Sequence, residues 1–246
     1  YDGDKLHVCT HSQGLHDEKM RLAEALGVDG SMLNYVSPYT GSSFGGKNAT
    51  PLDINIPSHY LLIAGFACLK LRRPVHCAYS REEEMLCAWS RGSLSHVKIG
   101  FKKDGTLTTM DFEHIQELGV GGDIYPPKNA MLATGAVLYS HNCRNMRGKI
   151  RYVHTNRFTS VGWQGYGAPE GHFAVETTMD IAAETLGMDP VELRKMNCMR
   201  TGDIDNGWDP LDYISCYISS SGIRQCLDIG AERVGWKERW QHPSTK

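Results

Sequence analysis

Two glycine-interrupted stretches carry the residue types from which a binding site could be built. The first is "YTGSSFGGKNAT", residues 39 to 50, which from Gly41 reads G-x-x-x-x-G-K, the spacing of a nucleotide phosphate loop. Such a loop works by converging backbone N–H groups on a helix N-terminus, and its following Ser or Thr hydroxyl binds magnesium. Here Asn48 stands where the hydroxyl is needed, and Pro51 and Pro57 fall where the helix should run. Proline inside a helix costs roughly 3 kcal/mol, so the segment after Lys47 is expected to be extended. The nucleotide-binding reading, with Lys47 on a triphosphate, is therefore set aside as an unfavoured alternative. What survives is a loop in which Gly41, Gly45 and Gly46 permit positive φ or close backbone approach. Phe44, alone among small residues, is expected to pack its ring on something nearby; a tight turn with Phe44 plugging the core is the plain structural reading.

The second stretch, "GWQGYGAP" at 162 to 169, sets Trp163 and Tyr166 between glycines with Gln164 as its polar side chain. Two loops of this composition suggest a planar or polar ligand held by backbone amides and aromatic faces. Tyr166 would offer a ring for stacking and a hydroxyl for orientation.

Composition limits the remaining possibilities. A net charge of -2 gives no sign of nucleic acid or an anionic membrane as partner. The apolar fraction of 41% and charged fraction of 22% are those of a globular chain. The longest apolar run, "YLLIAGFACL", is interrupted by Gly65 and falls well short of the roughly eighteen residues of a membrane span. Eight cysteines lie at 9, 68, 77, 87, 143, 198, 216 and 226 with no C-x-x-C pair, and the eleven histidines form no H-x-H or H-x-x-x-H. No metal held directly by protein side chains is expected, and free thiols suit a reducing cytoplasm. The chain opens without Met on what reads as a strand already in progress, so an N-terminal portion is expected to be missing or cleaved.

The elements that must position the loops can be read from periodicity. "KLHVCT" and "MLNYVSPY" read as strands flanking the helix "DEKMRLAEALG", which Gly27 stops. "SHYLLIAGFACLKLRR" is apolar nearly all round, the pattern of a buried helix, ended by Pro74. "PVHCAYS" is strand-like, and "REEEMLCAW" reads as a short helix from Ser80. "SHVKIGFKKDGTLTTMDFEHI" is a hairpin turning at Asp104-Gly105. "NAMLATGAVLY" reads as a helix and "GKIRYVHTN" as a strand. After the second loop, His172, Val175, Met179, Ala182 and Leu186 define the core stripe of a helix that Gly187 stops. Asp189-Pro190 caps "PVELRKMN", and a last helix near 222 to 234 runs into a polar tail. Strands and helices mix without strict βαβ rhythm, so the expected class is α+β.

Taken in order, "SSFGGK", "RRPVHCAYSREEEM", "FKKDGTL", "NMRGKIRYVHTN", "GYGAPEGHFAVETTMD" and "GMDPVELRKMN" resemble the molybdenum hydroxylase family, which includes xanthine dehydrogenase, aldehyde oxidoreductase, carbon monoxide dehydrogenase and nicotinate dehydrogenase. The resemblance runs from residue 5 to residue 240. It implies a first molybdopterin-binding domain over 1–246, lacking its N-terminal portion, with the second such domain on another chain, as in the large molybdopterin subunit of nicotinate dehydrogenase-like split enzymes. By the same match, Ser43, Phe44, Gly45, Gln164 and Gly165 would contact the molybdenum–molybdopterin cofactor, expected in its cytosine dinucleotide form. Phe44 and Tyr166 would bound a flat substrate. The metal is held by the pterin dithiolene, not by protein. The implied reaction is hydroxylation of an electron-poor carbon in an N-heterocycle or aldehyde, with water as oxygen source.

Two departures stand out: Gly41-Ser42-Ser43 replaces a run of three glycines, and Gln164 replaces Arg. No catalytic residue is assigned in this chain, because the family's general-base Glu lies in the second domain. Glu176 and Glu170, near the second loop, are not promoted to that role; Glu176 reads as a structural partner. FAD and [2Fe-2S] clusters are expected on partner subunits. The rival from the same family is a non-catalytic assembly subunit.

Overall fold

The computed structural model describes residues 1–44, 59–87, 92–120, 141–143, 145–157, 164, 168–203 and 218–241. The chain divides into two compact units, one of residues 1–92, 117–126 and 152–166, the other of 93–116, 127–151 and 167–246.

In the first unit, β1 (Leu6–Cys9), α1 (Leu15–Leu26) and β2 (Leu33–Val36) form one βαβ crossover. The two strands pair in parallel with Leu6 opposite Leu33 and Cys9 opposite Val36. A parallel pair needs such a crossover because a tight turn cannot bring the chain back to the same end. α1 ends as expected on Gly27, which takes φ 68. α2 (His59–Leu71) lies against α1, and Gly65 permits the approach: a Cβ there would meet Leu26 Cδ1 at 3.0 Å. Leu6, Leu22, Ala23, Leu26, Leu33, Tyr35, Leu61 and Cys68 make the core of this unit.

Two expectations change here. Residues 74–80, read as a strand, have no strand conformation. Tyr79 instead packs edge-on against Tyr60, with ring centroids 5.7 Å apart. α2 is apolar all round yet buries only Leu61, Gly65 and Cys68, leaving Ile63, Phe66 and Leu71 exposed. α3 (Arg81–Cys87) begins as expected beyond Ser80, which with Glu83 forms a reciprocal cap: Glu83 N donates to Ser80 Oγ and Ser80 N to Glu83 Oε2.

In the second unit, β3 (Ser93–Phe101) and β4 (Leu107–Gly119) form the expected antiparallel hairpin, and β5 (Met146–His154) pairs with β4. Met110 N donates to Asn145 O near one end and Val120 N to Arg157 O at the other, so β5 runs in the same direction as β4. The hairpin turn needs glycine at 105: φ is 86, and a Cβ would sit 2.7 Å from Met188 Sδ.

α4 (Ala168–Leu186) covers the sheet. Its buried residues are Gly171, Val175, Met179 and Ala183, a strict i, i+4 row, with Ala182, Leu186 and His172 only partly covered. With Leu107, Met110, Phe112, Cys143 and Leu193 they make the second core. Gly187 stops the helix at φ 66, and Asp189 caps α5 (Pro190–Asn197) by accepting from Val191 N at 2.7 Å. α6 (Ile223–Arg233) follows, and the tail expected to be merely polar begins with a short α7 (Trp236–Arg239), tied down where Trp236 Nε1 donates to Asp189. The expected helix over "NAMLATGAVLY" lies outside the described residues. Helices plus a parallel pair and a mixed three-stranded sheet give the α+β class. Among the described residues no helix is long and apolar enough to cross a membrane.

Candidate functional site

The first glycine loop leaves the C-terminal end of β2, and the chain after β1 emerges beside it because the two strands are parallel. That end of a parallel sheet is where αβ folds place ligands. Hydrogen bonds join the two loops: Thr10 N donates to Val36 O (3.1 Å) and Ser12 N to Ser37 Oγ (3.1 Å). Ser37 Oγ in turn lies 2.7 Å from Thr40 Oγ1. Beneath them the Tyr35 hydroxyl has its pKa pushed well up by burial and by the neighbouring Glu18 carboxylate, which is itself 1% exposed. The segment Thr10–Gln13 was missed by sequence reading. The only available signal was that two successive strand ends separated by a helix must open on one side.

Backbone strain concentrates in the first loop. Tyr39 (φ 37) and Phe44 (φ 49) both take left-handed conformations, which non-glycine residues rarely adopt. Strain of this kind persists only where surroundings enforce it, and it clusters at ligand-holding loops. Phe44 does not plug the core, contrary to the plain structural reading: its side chain is 57% exposed and Tyr39 is fully so. Ser43 is half-buried, and Gly41 and Ser42 are exposed.

Gln164, the polar residue of the second loop, is exposed in a turn. Gly45, Gly165, Tyr166 and Trp163 lie outside the described residues, as do Lys47, Asn48 and the two prolines on which the phosphate-loop test rested. Residues 37–44 and Gln164 carry hydroxyl and carboxamide groups and no carboxylate. Among the described residues no group of three or more His, Cys, Asp and Glu side chains is placed to hold a metal ion.

Glu176 has the structural role expected of it. His141 Nε2 donates to its Oε1 (2.8 Å) and Arg194 Nε to its Oε2 (2.7 Å), while Arg194 also pairs with Asp180 (2.7 Å). Burial opposes ionisation of Glu176, but the hydrogen bonds and charges of His141 and Arg194 together outweigh it and hold the pKa at about 2. A carboxylate so strongly held in its charged form is a poor general base near neutral pH.

With this geometry in place, the relatives become informative. The sequence profile of the molybdopterin cofactor-binding domain matches residues 1–198. Aldehyde oxidoreductase of Megalodesulfovibrio gigas is 34% identical over 214 residues, which are 85% of this chain and 22% of that protein. The nicotinate dehydrogenase large molybdopterin subunit of Eubacterium barkeri is 29% identical over 204 residues, 82% of this chain and 46% of that subunit. The crystal structure of aldehyde oxidoreductase from Desulfovibrio gigas superposes with a TM-score of 0.78 at 26% identity, covering 98% of this chain and 26% of that one. The chain belongs to the molybdenum hydroxylase family and comprises its molybdopterin cofactor-binding domain. It spans between about a fifth and a half of the length of these relatives.

Proposed function

We propose that this chain is the first molybdopterin-binding domain, over residues 1–246, of a multi-subunit molybdenum hydroxylase acting on an electron-poor carbon of an N-heterocycle or aldehyde. The observation that carries the reading is the left-handed backbone at Tyr39 and Phe44, in the loop that leaves the C-terminal end of a parallel strand pair within the family's matched region. The bound molybdenum cofactor, read here as its cytosine dinucleotide form, supplies the activation of water and accepts two electrons from substrate.

Under this reading Ser43 and the backbone of Gly45 hold the cofactor from one loop, and Gln164 and Gly165 hold it from the other. Gln164 offers a neutral donor and acceptor, and so favours a carbonyl or hydroxyl over a carboxylate on the ligand. The Phe44 and Tyr166 rings orient a flat substrate by stacking, which raises the rate through positioning. A Glu of a second molybdopterin domain would be the general base, and [2Fe-2S] and FAD on partner subunits would take up the electrons. The Eubacterium barkeri relative, named as the large molybdopterin subunit of nicotinate dehydrogenase, supports a divided organisation.

The test is to purify the native assembly through a tag on this chain and measure its molybdenum content and its activity on N-heterocycles and aldehydes. Tyr166→Ala is expected to lower kcat/KM at least about tenfold, the worth of one lost aromatic contact of ~1.4 kcal/mol. Full activity in that variant overturns the placement of Tyr166. A stable assembly without molybdenum supports the non-catalytic assembly role instead.

A further inference from the structure

Along the inward face of β4 the residues read Met110, Phe112, His114, Gln116 and Leu118, an apolar stripe interrupted by two polar side chains. Strand alternation sends every second residue to one side of the sheet. The positions between, Asp111, Glu113 and Ile115, are only partly covered. Met110 and Phe112 belong to the core shared with α4. His114 and Gln116 are buried as deeply, at 1% and 0% exposure. Polar groups at that depth are ordinarily hydrogen-bonded.

One side of the pair is fixed. Ser95 stands directly opposite His114 in the β3–β4 register, and its Oγ lies 2.8 Å from His114 Nδ1. The Phe112 ring stacks on the imidazole, with centroids 5.5 Å apart and planes inclined by 14°. These two contacts set the ring's orientation and use only Nδ1. His114 Nε2 is buried with no hydrogen-bond partner among the described residues, and so are both polar atoms of the Gln116 carboxamide. Residues two apart on a strand have their side chains based about 7 Å from one another on the same face. One small molecule making two hydrogen bonds of about 2.8–3 Å can bridge such a pair.

The chemistry of these atoms selects the occupant. Burial pushes the His114 pKa down, so near neutral pH the imidazole is uncharged, with one nitrogen donating and the other accepting. If Ser95 donates to Nδ1, Nε2 carries the proton and needs an acceptor. If Ser95 accepts, Nε2 needs a donor. The carboxamide presents a donor and an acceptor whichever way it is turned. An anion has no hydrogen to give, and a cation cannot satisfy the carboxamide N–H. The occupant must both donate and accept, and the full burial of both side chains favours the smallest molecule that does so.

The structure assigns the space between His114 Nε2 and the Gln116 carboxamide as a binding site for internal water. A buried water needs about two to four polar partners, which these atoms supply. It links Ser95, His114 and Gln116 into one hydrogen-bonded layer that continues the core where its apolar residues stop. The site lies within the second unit and does not depend on the proposed function.

The experiment joins a crystal structure of the protein carrying this chain to urea unfolding of three variants at neutral pH. In the wild type an ordered water is expected within about 3.2 Å of both His114 Nε2 and a carboxamide atom of Gln116. His114→Phe and Gln116→Met each take a partner from the water and leave the other polar group behind. Each is expected to raise the unfolding equilibrium constant about tenfold, whereas the double variant, apolar throughout, returns to within about threefold of wild type.

Unpaired atoms with nothing between them would give the opposite sign: each single variant would lower the unfolding constant by removing an uncompensated polar group. That result overturns the inference. So does an empty site in a map that shows other buried waters, or density for a protein side chain bonded to His114 Nε2. The wild-type map decides the matter even if no variant folds.

Discussion

The hairpin turn of the second unit and the loop after β2 in the first are both short connections shaped by positive φ, but they are finished in opposite ways. Around the turn, Asn197, 5% exposed, bonds three backbone groups: Leu107 N donates to its Oδ1 (2.8 Å), and its Nδ2 donates to Gly105 O (2.9 Å) and Leu193 O (2.8 Å). The turn's left-handed residue is a glycine. In the loop the left-handed residues are Tyr39 and Phe44, their rings are exposed, and the described hydroxyls are only half-buried or open. The first connection is complete within the chain. The second keeps two exposed rings on left-handed backbone, which under the proposed function is what a ligand-holding loop requires.

Asn197→Ala is expected to have the largest effect on that contrast. It removes three buried hydrogen bonds, among them the acceptor for the buried Leu107 N–H, a loss of about 3 kcal/mol. Urea unfolding should show a lowered midpoint; a midpoint unchanged from wild type would mean the turn is not clamped as described.

Glu176→Gln comes next. Removing one charge from the His141–Glu176–Arg194 network should cost about 1–3 kcal/mol near neutral pH, less than in a fully buried pair because solvent reaches part of the carboxylate. The sign with pH is fixed by the depressed pKa of about 2. The stabilisation is complete above the ordinary Glu range and is lost as pH falls from there through about 2. The gap between wild type and variant should therefore close on acidification. A gap that stays constant from neutral pH down to about 2 would remove the ionised carboxylate from the account.

The smallest expected change in stability, and the most telling, is at Phe44. Phe44→Gly relieves a left-handed φ and gives up an exposed ring, so the isolated chain should be unchanged or up to about 1 kcal/mol more stable. The same variant should bind cofactor or substrate less well in the assembly, measured as retained molybdenum and as KM. Marked destabilisation of the isolated chain would return Phe44 to a structural role.

Much of the fold was legible because its signals are local. Gly27 and Gly187 stop helices, Ser80 with Glu83 and Asp189 with Pro190 start them, and Asp104-Gly105 turns a hairpin, each through contacts a few residues apart. The misreadings fall where the outcome depends on a partner distant in sequence. "PVHCAYS" has strand composition, yet a strand exists only when a neighbour supplies hydrogen bonds, and here Tyr79 finds Tyr60 instead. On α4 the adjacent Ala182 and Ala183 are equivalent by composition, and only packing against the sheet selects Ala183. Of the candidate site, Ser43, Phe44 and Gln164 were named through the family resemblance, but the sequence could not show that Thr10–Gln13 lies beside the first loop or that Phe44 is exposed.

The amino-acid sequence by itself determined the class of element at most described positions, the two glycine-interrupted stretches proposed to hold ligand and, through six motifs in order, the family. Only the tertiary structure decided that two loops share the open end of a parallel pair, that Glu176 is held as an anion by His141 and Arg194, and that α2 is covered on one side. The reason is that propensity, capping and turn chemistry act over one turn of chain. Burial, ion pairing and exposure are set by residues that the fold brings together from far apart.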